Sequence, residues 1–208
     1  AAARRANRVR PFVTIDLARH FGPGGTFERS LPAWRMRPQQ LEFAQAVLAA
    51  IESAGVLIAE AGTGTGKTFA YLAPALIAGG RVIVSTGTKT LQDQLFHRDL
   101  PLVREALGVP AKVALLKGRA NYVCLHHLEE SSAGGTFASR EEARDIHAIA
   151  RFAGRTSSGD KAECLEVPEL SGAWARATST RENCLGSKCR HYEDCFVMKA
   201  RKSASDAD

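Results

Sequence analysis

Two groups of residues in this 208-residue chain have the types and spacing to do chemistry. The first is the run AEAGTGTGKT at 59–68. From Ala61 to Thr68 it fits the phosphate-binding pattern that ends Gly-Lys-[Ser/Thr], with Ala61 where the strict form has Gly. Gly62, Gly64 and Gly66 let the backbone curl so that the N–H groups around Thr63 and Thr65 converge on phosphate oxygens. A helix starting just after the loop adds its positive end. Lys67 is expected to neutralise the outer phosphates of a nucleotide, and Thr68 to offer a hydroxyl to Mg²⁺. The second group is cysteine. CLGSKCRHYEDC at 184–195 holds three of the five, Cys184, Cys189 and Cys195.

Four and five residues separate these three thiols, so a four-thiolate site needs one more, from Cys124 or Cys164. Zinc favours tighter pairs in two halves, and iron–sulfur sites accept more varied spacing. Spacing alone leaves zinc, an iron–sulfur cluster and simple burial all open.

Elements must hold these residues in place. A helix pattern starts at Pro38 and carries Leu41, Phe43, Ala44, Val47, Leu48 and Ile51 towards Gly55. VLIAE at 56–60 reads as a buried parallel strand, the loop follows, and KTFAYLAPALIAGG reads as a helix kinked at Pro74. RVIVS at 81–85 is a second expected strand and KVALLKG at 112–118 a third. Between them lie a helix ending near Pro101 and another over LVREALG. Strand–loop–helix repeated in this way predicts a parallel α/β sheet. Beyond 124 the pattern is helical and turn-rich. Ser139 and Glu142 form a capping box for a helix presenting Ala143, Ile146, Ala150 and Ala153. The expected division is a lead-in at 1–34, an α/β unit at 35–123, a cysteine-bearing unit at 124–200, and a return towards the first at 201–208.

A net charge of +6 suits a polyanionic partner. No apolar run approaches the roughly 18 to 20 residues that span a bilayer, so no membrane partner is expected. The opening AAARRANRVRPF has no initiating Met and no apolar secretory core. A cytoplasmic location is expected, where clustered cysteines are more often metal ligands than disulfides. Phosphoryl transfer also needs an acidic residue after a later strand, and no apolar run here ends in Asp-Glu.

RPQQLEFAQAV, LIAEAGTGTGKTFAYLAPAL, VIVSTGTKTLQDQL, LKGRANYVC and the late cysteines occur in that order. Together they resemble the DinG/YoaA-type iron–sulfur DNA helicases, XPD relatives in superfamily 2, over residues 20–208. The resemblance implies a partial RecA-like ATP-binding domain with an inserted, mostly helical [4Fe–4S] domain. It implies adenine recognition by Arg37 and Gln40, and cluster ligation by Cys124, Cys184, Cys189 and Cys195. Cys164 has no counterpart there, and His126, His127 and His191 are taken as surface residues or neighbours of the ligands. Contacts to single-stranded DNA are expected from Thr86, Thr88 and Gln92, with Lys117 and Arg119 as basic helpers. Helix capping is the competing role for Thr88.

The resemblance also implies ATP and Mg²⁺ as cofactors, 5′→3′ translocation, single-stranded DNA and single/double-strand junctions as partners, and a monomer working near the nucleoid in repair or replication. The Asp-Glu-Ala-His motif of the family lies past the present residues, so the chain is expected to be the N-terminal piece of a longer helicase. Two other classes compete: a P-loop phosphotransferase with a structural zinc domain, and a non-catalytic nucleic-acid-binding or redox-sensing module.

Overall fold

The computed structural model describes residues 15–134 and 136–208. The Arg-rich opening at 1–12 therefore lies outside the described residues. The chain divides into two compact units, one through Ala111 and one over Lys112–Ala207. Residues 112–123 go with the second unit, where Lys117 pairs with Asp160 and Tyr122 and Val123 are buried in the core.

In the first unit the expected irregular lead-in contains two short helices, α1 (Ala18–Phe21) and α2 (Thr26–Ser30). They form because Phe21 and Phe27 are fully buried. Their rings meet edge to face at 5.0 Å, and Trp34 and Phe69 complete the aromatic cluster. Helix α3 (Pro38–Glu52) starts on Pro38 as expected and buries Gln40, Ala44 and Leu48. It packs on α4 (Lys67–Ala78), which buries Ala70, Leu72, Ala73 and Pro74 before Gly79, at φ 68°, ends it.

The helices expected on either side of Pro101 are joined. Helix α5 (Lys89–Gln94) continues through a π turn (Leu95–Asp99) into α6 (Leu100–Leu107). In that turn Leu100 N–H bonds to Leu95 C=O. Pro101, which has no N–H to lose, falls in the first turn of α6, where a proline costs least.

The parallel sheet is not formed among the described residues, where no strand occurs. VLIAE and RVIVS run without ladder bonds, Val56 and Ile58 being 92% and 95% exposed and Ile83 90%. A parallel strand is stable only with neighbours on its edges and helices over both faces. These segments have neither, so the apolar signal is present without the structure it favours. Leu116 in the third expected strand is likewise exposed.

The second unit has its own core. Helices α7 (Leu125–Ala133), α8 (Arg140–Ala153) and α9 (Ala173–Ala177) pack together, and α10 (Phe196–Ser205) adds Phe196 and Val197. Ser139 caps α8 by accepting the Glu142 N–H at 3.0 Å, as expected. The buried stripe of α8 is Ile146, Ala148, Ile149 and Phe152. Ile146 is buried as expected and Ala150 and Ala153 pack partly buried against the same core, with Ile149 and Phe152 as the large side chains added to that face.

Candidate functional site

The phosphate loop sits in the first unit between an extended segment and α4. Gly64 and Gly66 adopt φ of 75° and 81°, which only glycine takes without strain. The turn at Gly66 delivers Lys67 as the first residue of α4. Its ammonium donates to the carbonyls of Ala61 and Gly62 at 2.6 and 2.5 Å. The Thr65 hydroxyl donates to Gly62 C=O at 2.9 Å, closing the loop on itself. The Thr68 hydroxyl pairs with the Tyr71 phenol, whose pKa is raised chiefly by burial. Thr63 is exposed at the tip.

Gln40 has a role that the sequence did not reveal. It is 3% exposed, and its Nε2 donates to Gly66 C=O at 2.8 Å. A Cβ on Gly66 would lie 2.1 Å from that nitrogen, so the loop is seated directly on the Gln40 amide. The Gln40 Oε1 is buried without a hydrogen-bond partner. A buried bare acceptor costs about 1 to 3 kcal/mol and favours a donor arriving from a ligand. Arg37, one turn earlier at the start of α3, is exposed.

The segment after RVIVS shows local roles for two threonines. Thr88 caps α5 by accepting Leu91 N–H at 3.2 Å, the competing role weighed above. The Thr86 hydroxyl donates to Thr88 C=O at 3.2 Å. Gln92 lies on α5, half-buried.

In the second unit, Cys124, Cys184, Cys189 and Cys195 line one cavity of about 80 Å³. A water molecule's share of liquid is about 30 Å³, so the space exceeds a single solvent site. Cys164 is elsewhere, buried in the core at 5% exposure. All five cysteines are free thiols.

Three of the four ligand candidates are held by backbone. Cys124 is the N-cap of α7, with its N–H on Ala177 C=O at 2.7 Å. Cys189 N–H bonds to Gly186 C=O at 3.1 Å, and Cys195 precedes α10 as its N-cap. Glu129 of α7 ties down the late loop by accepting from Arg190 and His191 at 2.5 and 2.8 Å. Burial pushes the Cys124 thiol up, while the backbone N–H groups of His127 and His126 pull it the other way.

The spread of the sulfurs bears on what they could hold. Four thiolates on one zinc at 2.3 Å lie about 3.8 Å apart. Among the described residues no three cysteine sulfurs come within 4.8 Å of one another. The four sulfurs share the cavity lining with the rings of His126 and His127.

Arg119 also lines this cavity. Lys117, expected as a basic contact, is not exposed. It is buried against Asp160 at 2.6 Å, both side chains under 10% exposed. Its backbone N–H donates to the Tyr122 phenol at 2.9 Å. The pairing follows from burial, because an ammonium withdrawn from water needs a carboxylate close by.

Comparison with known proteins now gives the class. Residues 37–133 match the DEAD/DEAH box helicase family. The chain is 50% identical to the ATP-dependent DNA helicase YoaA of Escherichia coli (strain K12), over 90% of this chain and 30% of that protein. YoaA of Haemophilus influenzae is 46% identical over 93% of this chain and 30% of its own length. The ATP-dependent helicase DinG of Mycobacterium tuberculosis (strain ATCC 25618 / H37Rv) is 37% identical over 86% and 30%. The chain belongs to the DinG/YoaA type of DEAD/DEAH helicases. It spans about 30% of the length of these relatives. The helicase family implies a RecA-like fold; here the phosphate loop and the helices packed beneath it are formed and the sheet is not. No helix among the described residues is long and apolar enough to cross a membrane.

Proposed function

We propose that this chain is the ATP-binding and cluster-bearing part of an ATP-dependent DNA helicase that moves 5′→3′ on single-stranded DNA and opens single/double-strand junctions during repair or replication. The observation that carries the reading is the gathering of Cys124, Cys184, Cys189 and Cys195 on one cavity, with Cys164 left out. The four are separated by up to 71 positions (195 − 124) and all are half-buried.

In the ATP half, Lys67 would leave the carbonyls of Ala61 and Gly62 for the outer phosphates, and Thr68 would leave Tyr71 for Mg²⁺. The loop from Ala61 to Gly66, through Thr63 and Thr65, would line the phosphates with N–H groups. Gln40 would use its bare Oε1 to accept from the adenine amine while its Nε2 keeps hold of Gly66, and Arg37 would close over the base. Linked this way, adenine binding and loop shape are felt by one side chain.

In the cysteine half, the four thiolates would hold a [4Fe–4S] cluster. When bound, that group supplies iron–sulfur bonds that cross-link the start of α7 to the 184–195 loop. The chain's own residues do the positioning: Ala177 C=O orients Cys124, and Glu129 anchors Arg190 and His191. Thr86, Gln92 and Arg119 are proposed to meet DNA phosphates, and Thr88 to shape the start of α5 for them.

The test uses the full-length protein, with ATP-dependent unwinding measured on forks carrying a 5′ or a 3′ single-stranded tail. The account expects unwinding only from the 5′ tail, lost in Lys67→Ala. Unwinding from the 3′ tail alone, or Lys67→Ala activity equal to the parent, would refute it.

A further inference from the structure

At the border of the cysteine cavity, α7 carries a cluster of metal-ligating side chains. His126, His127 and Glu130 place one ligand atom each within 4.8 Å of one another. We propose that these three residues bind a divalent first-row transition-metal ion on the solvent side of α7.

The helix creates the arrangement. Glu130 stands four residues after His126 and three after His127, so both rings meet its carboxylate on one face. Each carboxylate oxygen faces one ring: Oε1 is 3.4 Å from His126 Nε2, and Oε2 is 3.4 Å from His127 Nδ1. That is longer than the 2.7–3.2 Å of an ordinary N–H···O bond. Taken singly, each separation matches one nitrogen–oxygen edge of a tetrahedron whose ligands lie about 2.0–2.1 Å from a central ion, roughly 3.3–3.4 Å, one on either carboxylate oxygen. Two imidazole nitrogens and a carboxylate form a donor set that zinc accepts with a further position left for water.

The remaining requirements are also met. The Glu130 side chain is 57% exposed and those of His126 and His127 are 18% and 20%, which gives an ion a route in from solvent. The opposite nitrogens, His126 Nδ1 and His127 Nε2, are buried without a hydrogen-bond partner. A partner there would fix which nitrogen carries the proton. With none, the outer nitrogens can turn bare lone pairs to a cation. Both rings border the sulfur-lined cavity.

The proposal shares no ligand with the four-cysteine site, and the test keeps the two apart. Protein isolated anaerobically with its cysteine site filled, and its iron or zinc counted, is titrated with ZnCl₂ by calorimetry. One further zinc per chain is expected. Glu130→Gln and His127→Gln should each weaken it at least about tenfold, whereas His147→Gln, on the exposed side of α8, should leave it unchanged. Far-UV circular dichroism and the original metal count verify that each variant is folded. The proposal is overturned if no further zinc binds, if Glu130→Gln binds as tightly as the parent, or if zinc enters only as the original metal leaves.

Discussion

Gly159→Ala tests whether the backbone around the cysteine cavity is as tight as described, without touching a ligand. Gly159 sits at φ 67°, and its carbonyl accepts Val123 N–H at 2.8 Å. An added Cβ would lie 2.1 Å from Phe196 Cγ, 2.4 Å from Cδ2 and 2.7 Å from Cβ. Val123 precedes Cys124 and Phe196 follows Cys195, so one glycine supports the neighbours of two proposed ligands. The left-handed backbone costs a non-glycine residue about 1 to 2 kcal/mol, and overpacking adds about 1 to 3 kcal/mol. Their sum, about 2 to 5 kcal/mol, is a large share of a domain's roughly 5 to 15 kcal/mol. Gly186→Ala isolates the first cost, because Gly186 has φ 57° with nothing within 4 Å of the added atom. Anaerobic urea unfolding is followed by Trp174 fluorescence in a Trp34→Phe background, since Trp174 lies in the second unit's core. Gly159→Ala should unfold at lower urea than Gly186→Ala, by about 1 to 3 kcal/mol, and should retain less metal. Equal midpoints for the two variants would refute the packing argument.

Four further outcomes are expected. Asp160→Asn strands the Lys117 ammonium at 3% side-chain exposure and should cost about 3 to 5 kcal/mol in urea unfolding, whereas Lys117→Met with Asp160→Leu should cost less. Gln40→Ala removes the Gly66 latch and should weaken ATP binding several-fold by calorimetry with the fold intact. Lys67→Ala should weaken ATP binding further and leave metal content unchanged, because the loop and the cysteines lie in separate units. Cys164→Ser should lower the unfolding midpoint, since that thiol is core, while keeping the metal.

What the sequence disclosed depended on how local each cause is. The start of α3 at Pro38, the cap at Ser139 and the glycine turn into α4 are decided within a few residues, and all were legible. The gathering of Cys124 with the late cysteines was legible only through the resemblance, because spacing left Cys164 as an equal candidate. The strands were legible as apolar runs, but pairing belongs to neighbours, and Val56, Ile58 and Ile83 have none among the described residues. The Lys117–Asp160 pair spans 43 positions (160 − 117) and looked like a surface charge in sequence. The core of the second unit, with Ile146, Ile149, Phe152, Trp174 and Phe196 buried, draws on side chains scattered from α8 to α10. The bare Oε1 of Gln40 has no sequence signal, since only the packing of α3 on the loop buries it.

The most direct test of the central claim is an iron and acid-labile sulfide count on the anaerobically purified chain. The account predicts a brown protein with about four iron and four sulfide per chain, lost in Cys124→Ser and kept in Cys164→Ser. A colourless protein holding one zinc and no sulfide, or a cluster that survives Cys124→Ser and disappears in Cys164→Ser, would contradict it.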